Sequence, residues 1–226
     1  MRKNFLLMPM CNYRVICSIR RKWAAFRFAP DGILEILAPQ NLNIKQIEKL
    51  IADNQQTIAD LQKRTPRKVK PSFSENARFW LLGKTYPLHL TGRLWLFCEK
   101  FMIPGGSDEE IKASLIRLYR QLAAEIIRDR IAIYQQLMNL FPDKIRISSA
   151  NRRWGSCSAK KTVSFNWKLI QCPLECVDYV IVHELAHLAE LNHSPAFWKI
   201  VADVIPDYRD KKRQLNTFAA QLPFWE

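Results

Sequence analysis

No apolar run in this 226-residue chain approaches the ~20 residues that a membrane-spanning helix needs, so no such helix is expected. The opening MRKNFLLMPMC has only a short apolar run, broken by Pro9, and no clean small-residue cleavage site follows. It reads as a mature N-terminus rather than a signal peptide. There is no internal repeat, no low-complexity tract and no finger-like spacing of Cys and His pairs. The six cysteines, at positions 11, 17, 98, 157, 172 and 176, are scattered. In a chain this long they do not read as a disulfide framework, and reduced thiols in a cytoplasmic protein are expected. Histidine is scarce as well, with four in all.

What is present is a globular composition, 48% apolar and 25% charged. Basic residues exceed acidic ones by 35 − 21 = 14. The excess is uneven: residues 1–105 carry 18 basic and 7 acidic side chains, residues 106–226 carry 17 and 14. The basic first half points to an acidic partner, such as nucleic acid, while a merely solvated basic surface stays open.

Texture also divides the chain there. Residues 1–105 read as a β-rich basic region. Strands are expected over 14–28 and 33–37, a helix over 43–61 with Ile44, Ile47, Ile51, Ile58 and Leu61 on its apolar face, and short strands from 79 to 103. Gly105-Gly106 mark a boundary. Residues 106–226 then open with Ser107 as an N-cap and a long helix, its apolar face read as Ile111, Leu115, Leu118, Leu122 and Ile126. A hairpin follows, with Ile145 and Ile147 on one arm and Val163, Phe165 and Trp167 on the other. A second helix is expected over 173–191, a third from Ser194-Pro195, and another after Asp207.

Three of the four histidines fall in HELAHLAELNH, His183 to His193. His183 and His187 are four apart and project from one helical face, where both imidazoles can reach one ion. Glu184 lies on a neighbouring flank, close enough to act on a water without being a ligand. This is the H-E-x-x-H arrangement of zinc hydrolases. His193 is six residues on, roughly 600° of helical rotation, so it joins only if the helix stops first. Asn192 in a left-handed conformation, followed by Ser194-Pro195, offers that stop. Three protein ligands with an open fourth position match a catalytic zinc site. A carboxylate from Asp203, Asp207 or Asp210 is the alternative third ligand. Cys172 and Cys176 read as buried thiols, and His89 as structural.

The segment from Asn151 to Tyr208 is similar to the YgjP-like family of predicted zinc metallopeptidases. The matching pieces are Arg153-Trp154-Gly155-Ser156-Cys157, Phe165-Asn166-Trp167, Tyr179-Val180, His183-Glu184-Leu185-x-His187, Asn192-His193-Ser194 and Phe197-Trp198. The resemblance implies an α+β fold with a zincin-like core: a long helix, a small sheet whose edge lies over the site, and the active-site helix. It implies one zinc per chain on His183, His187 and His193, with Glu184 catalytic.

Around that motif, Trp154, Gly155 and Ser156 are expected where the hairpin turns, beside an edge able to pair with an extended substrate. Arg152 or Arg153 could bind an anionic group or stabilise an oxyanion. Tyr208 is a candidate transition-state stabiliser. Trp167, Phe197 and Trp198 read as packing, and Cys157 as a small packed side chain. The functional expectation is a zinc-dependent hydrolase of peptide bonds. Two alternatives stay open: hydrolysis of an anionic non-peptide substrate such as a nucleotide phosphoanhydride, and a non-enzymatic nucleic-acid-binding zinc protein.

Overall fold

The computed structural model describes residues 5–8, 11–29, 32–40, 42–64, 71–92, 94–97, 99–150 and 153–223. Arg152, Cys98, the turn residues Pro30 and Asp31, and most of the basic connection after residue 64 lie outside the described residues. No described helix is long and apolar enough to cross a membrane. The architecture is mixed α+β, and the chain forms two compact units, residues 1–71 with 223–226, and residues 72–222.

The first unit holds strands β1 (Phe5–Met8), β2 (Cys11–Ser18), β3 (Ala25–Phe28) and β4 (Leu34–Pro39), in the order β1-β2-β4-β3. β2 and β4 run parallel. Tyr13, Leu34 and Ile36 form its core with Ile47 and Ile58. Those two isoleucines come from separate helices, α1 (Ile44–Asp53) and α2 (Gln55–Arg64). The single helix expected over 43–61 is broken at Asn54, whose side chain donates to the Leu50 carbonyl at 2.9 Å. Asn competes with the helical backbone in this way. Buried Glu35 accepts from Arg14 at 3.1 Å and from Arg27 at 2.7 Å, so two cations of the basic half serve the fold.

The second unit begins with β5 (Arg78–Leu81), β6 (Lys84–Thr91), β7 (Trp95–Phe97) and β8 (Lys100–Pro104), in the order β5-β6-β8-β7. Contacts therefore divide the chain at 71/72 and not at 105/106. The reason is local packing. The β5–β6 turn has positive φ at both Leu82 and Gly83, as a tight hairpin requires. Its two amides donate to the carbonyls of Ile170 and Gln171, at 2.7 and 3.2 Å. Tyr119 adds a hydroxyl bond to the Trp80 carbonyl.

α3 (Asp108–Met138) starts at Ser107 with a reciprocal capping box to Glu110 and ends at Asn139 in the left-handed conformation. Its buried stripe is Ile111, Leu115, Leu118, Tyr119, Ala123, Ile127 and Ile131. Leu122 and Ile126, expected in that stripe, lie one residue off it and are half-buried. Adjacent apolar columns on one helix make that choice a tertiary one.

β9 (Lys144–Ser148), β10 (Gly155–Cys157) and β11 (Thr162–Asn166) form the third sheet, in the order β10-β11-β9. The expected hairpin between the first and last of these is not formed. β9 runs parallel to β11, and the antiparallel partner of β11 is β10. Alternating apolar residues specify which face is buried, not strand direction. Trp154 to Ser156 accordingly sit at and on β10 rather than at a turn, and Trp167 begins a 3-10 turn, Trp167–Gln171. Then come α4 (Leu174–Ala186), α5 (Pro195–Val204) and α6 (Tyr208–Gln221).

Candidate metal centre

α4 is buried from Cys176 to Ala186 almost all round. A helix of that character must be packed on every side. Arg130 of α3 fixes its register, donating Nε and a second guanidinium nitrogen to the two Asp178 oxygens at 2.7 and 2.8 Å. This fork-to-fork geometry holds orientation as well as charge. Five residues on, the same helix presents His183 and Glu184.

α4 ends at Ala186, with His187 as its C-cap, rather than continuing to Leu191. The amides of Leu188 and Ala189 bond three residues back, tightening the last turn. Asn192 does not take the left-handed conformation expected of it, since it is absent from the described residues with positive φ. Its side chain instead accepts from the Ser194 amide at 3.1 Å, and Ser194 caps α5 through the Phe197 amide at 3.2 Å. These two local turns bring His193 back beside α4.

The result is a three-imidazole cluster. Candidate ligand atoms of His183, His187 and His193 all lie within 4.8 Å of one another. The buried Phe197 ring underlies all three, with centroids at 4.9, 4.5 and 4.8 Å. His187 Nδ1 lies 2.9 Å from the Glu190 carbonyl, which sets Nδ1 as the N–H and leaves Nε2 as the lone-pair nitrogen. His183 Nε2 and His193 Nε2 are 3.1 Å apart. In a tetrahedral zinc site with 2.0–2.1 Å bonds, ligand nitrogens stand about 3.3 Å apart, so this spacing fits a shared cation. Burial, reinforced by His187, His193 and Lys212, pushes the His183 imidazole down to about 4. The neutral ring is the form that ligates metal. His193 is lowered by burial, His187 and Lys212. Asp203, Asp207 and Asp210 do not join the cluster; the last two pair with Lys211 and Arg213 on α6.

Glu184 faces the same cleft from the next position on α4. Burial pushes its carboxyl up to about 7, against the opposing pull of the Arg153 cation. Gly155 explains how the carboxyl fits. A Cβ on Gly155 would stand 2.6 Å from Glu184 Cγ and 2.8 Å from Cδ, so only glycine lets β10 pass this close. Asn166 holds the approach to β10, donating to the carbonyls of Ala150 and Arg153, while its backbone amide donates to the Trp154 carbonyl at 2.8 Å.

A cleft of about 540 Å³ contains these groups. Arg153, Trp154, Gly155 and Ser156 all line it, together with the three histidines and Glu184. Tyr208 does not; its ring stacks on Trp198 at 5.0 Å. Trp198 is itself a wall of the cleft, whereas Trp167 and Phe197 are core. Cys157 lines the cleft with its thiol raised by burial and by Glu184, while Cys172 and Cys176 are fully buried. His89 pairs with Glu75 at 2.8 Å. Sequence reading missed Tyr179, Leu191, Lys212 and Asn216 as lining residues. The last two lie on α6, about 20 residues beyond the motif, where nothing local marks them.

The profile of the YgjP-like metallopeptidase domain matches residues 22–218. Among solved structures, the metallopeptidase zymogen abylysin of Pyrococcus abyssi is 21% identical, with a TM-score of 0.40, over 43% of this chain and 99% of that one. No curated protein matches the chain.

Proposed function

This chain belongs to the YgjP-like family of metallopeptidases, and from that premise we propose that it cleaves peptide bonds with one zinc ion held by His183, His187 and His193 and with Glu184 as general base. The observation that carries the reading is the convergence of three imidazoles from α4, its C-cap and the connection to α5, with one carboxylate beside them in a single cleft. It is a metal-dependent hydrolase by family. The donor set of three neutral imidazoles suits zinc and leaves a ligand position open. The core we assign is zincin-like: α3, the β9–β11 sheet and α4.

A zinc ion there supplies Lewis acidity toward water and the scissile carbonyl. The remaining work falls to the chain. No described residue hydrogen-bonds or ion-pairs with the Glu184 carboxylate, so its oxygens are available to a water in the cleft. Glu184 takes the proton of the attacking water and delivers it to the departing amine nitrogen. Among the described residues β10 is an edge strand that pairs with β11, and its other edge can receive an extended peptide backbone. Arg153 stands on the Glu184 side of the cleft, placed to meet negative charge there.

The test is elemental analysis together with turnover on a peptide library, using the full chain loaded with zinc. About one zinc per chain and peptide cleavage are expected, with His187→Ala losing most of both. Full zinc retention in both His187→Ala and His193→Ala would overturn the ligand assignment.

A further inference from the structure

α6 carries three successive cations, Lys211, Lys212 and Arg213. The outer two are occupied within their own helix: Lys211 pairs with Asp207 at 3.2 Å and Arg213 with Asp210. Lys212 is different. No described carboxylate lies within ion-pair distance of it, and it lines the cleft. Its ammonium lies 5.5 Å from the centre of the Trp198 ring. Trp198 in turn contacts the rings of His193 and His183, at 5.6 and 5.8 Å. An aromatic face beneath a lysine restrains its stem and keeps the charge directed. Asn216 is one turn further on the same helical face and lines the same cleft.

We propose that Lys212 and Asn216 form a subsite for a carboxylate of the peptide substrate, on the α6 side of the histidine cluster. The inference rests on the peptidase reading and adds to it the substrate's charge. A single ammonium with one neutral amide donor matches a monoanion. The second cation of the cleft, Arg153, acts on Glu184, whereas Lys212 acts on His183 and His193. Lys212 stands on α6 over Trp198, beside the histidine cluster, whereas Arg153 directly precedes Trp154 and β10. Glu184 is the one carboxylate among the described lining residues, and it makes no ion pair with Lys212.

The experiment uses one N-acetylated hexapeptide sequence in three forms: free C-terminal acid, C-terminal amide, and amide with one internal Gln replaced by Glu. Each is measured as kcat/KM on the zinc-loaded chain and as Kd on zinc-loaded Glu184→Gln. A carboxylate-bearing form should be favoured by about tenfold, the size of one charge-assisted hydrogen bond, and mainly through KM. The form that shows the preference tells a terminal carboxylate from a side-chain one. Lys212→Met should erase the preference, Lys212→Arg should keep most of it, and Lys212→Glu should reverse it. A preference that persists in Lys212→Met, or an equal loss for acid and amide forms, overturns the subsite. If no peptide is cleaved the peptidase reading fails, and the Kd series still decides whether Lys212 binds carboxylate. ATP hydrolysis that depends on Lys212, with no preference among the peptides, would assign the anion to phosphate and overturn the carboxylate.

Discussion

Among the described residues two glutamates are buried, one in each compact unit, and they are handled in opposite ways. Glu35 is 7% exposed and Glu184 is 6% exposed. Burying a carboxylate is costly unless it is paired. Glu35 is gripped by Arg14 and Arg27 across neighbouring strands of its sheet. Glu184 has no such grip; its nearest constraints are the bare backbone of Gly155 and the more distant charge of Arg153. The first carboxylate is satisfied and has nothing left to offer. The second keeps its oxygens for a ligand, and its proton affinity is raised by the same burial. Equal burial thus marks structure in one unit and, in the function proposed above, chemistry in the other, and the number of partners tells them apart.

The sharpest way to test the contrast is Glu184→Gln. The amide is nearly isosteric but cannot take a proton at neutral pH. Turnover should fall by about 10²–10⁴-fold, with bound zinc and melting temperature unchanged. Near-normal turnover in a zinc-replete variant would remove Glu184 from the base role.

Next in size is Gly155→Ala. The added methyl must displace Glu184, because Cγ and Cδ stand in its way. A displacement of about 1 Å can cost 10²-fold in rate, so kcat should drop by about that factor while zinc content holds. Unchanged kcat would mean that the close approach of β10 does not position the carboxylate.

Glu35→Gln should do the reverse of Glu184→Gln. It weakens two charge-assisted bonds, and Arg27 is half-exposed, so the loss is about 2 kcal/mol of stability. Denaturant unfolding measures this, and turnover per folded molecule should not change. A stable variant would show that solvent already satisfies the two arginines.

The smallest effect concerns the basic half that surrounds Glu35. Any polyanion binding there should weaken steeply with salt, as counterion release requires. Titration of a labelled oligonucleotide at two salt concentrations checks it; salt-insensitive binding would exclude an electrostatic surface.

The site was far more legible than its surroundings. Helical spacing placed His183 and His187 on one face, and the Asn192-His193-Ser194-Pro195 run signalled the break that returns His193. Even so, the break uses a tightened turn after Ala186 and a side-chain bond from Asn192, not a left-handed residue. Both devices terminate a helix, and the sequence does not choose between them. Ser107 was readable because a cap acts within three residues. β10 was not, because three residues bearing Gly, Ser and Cys have no strand signature of their own. Lys212 looked like any lysine of an exposed run, and only its neighbours' ion pairs and its place over Trp198 in the cleft single it out.

What the sequence determined by itself is what depends on near neighbours: the Ser107 and Ser194 caps, the imidazole pair, and the identity of the candidate base. The tertiary structure decided what depends on direction and on remote partners. It set β9 parallel to β11, moved β5 to β8 into the second unit, carried Gly155 against Glu184 and turned Lys212 toward the histidines. The physical reason is range. Backbone capping and helical periodicity act within a few residues, whereas a buried carboxylate is made reactive or inert by groups that the chain brings to it from far along its length.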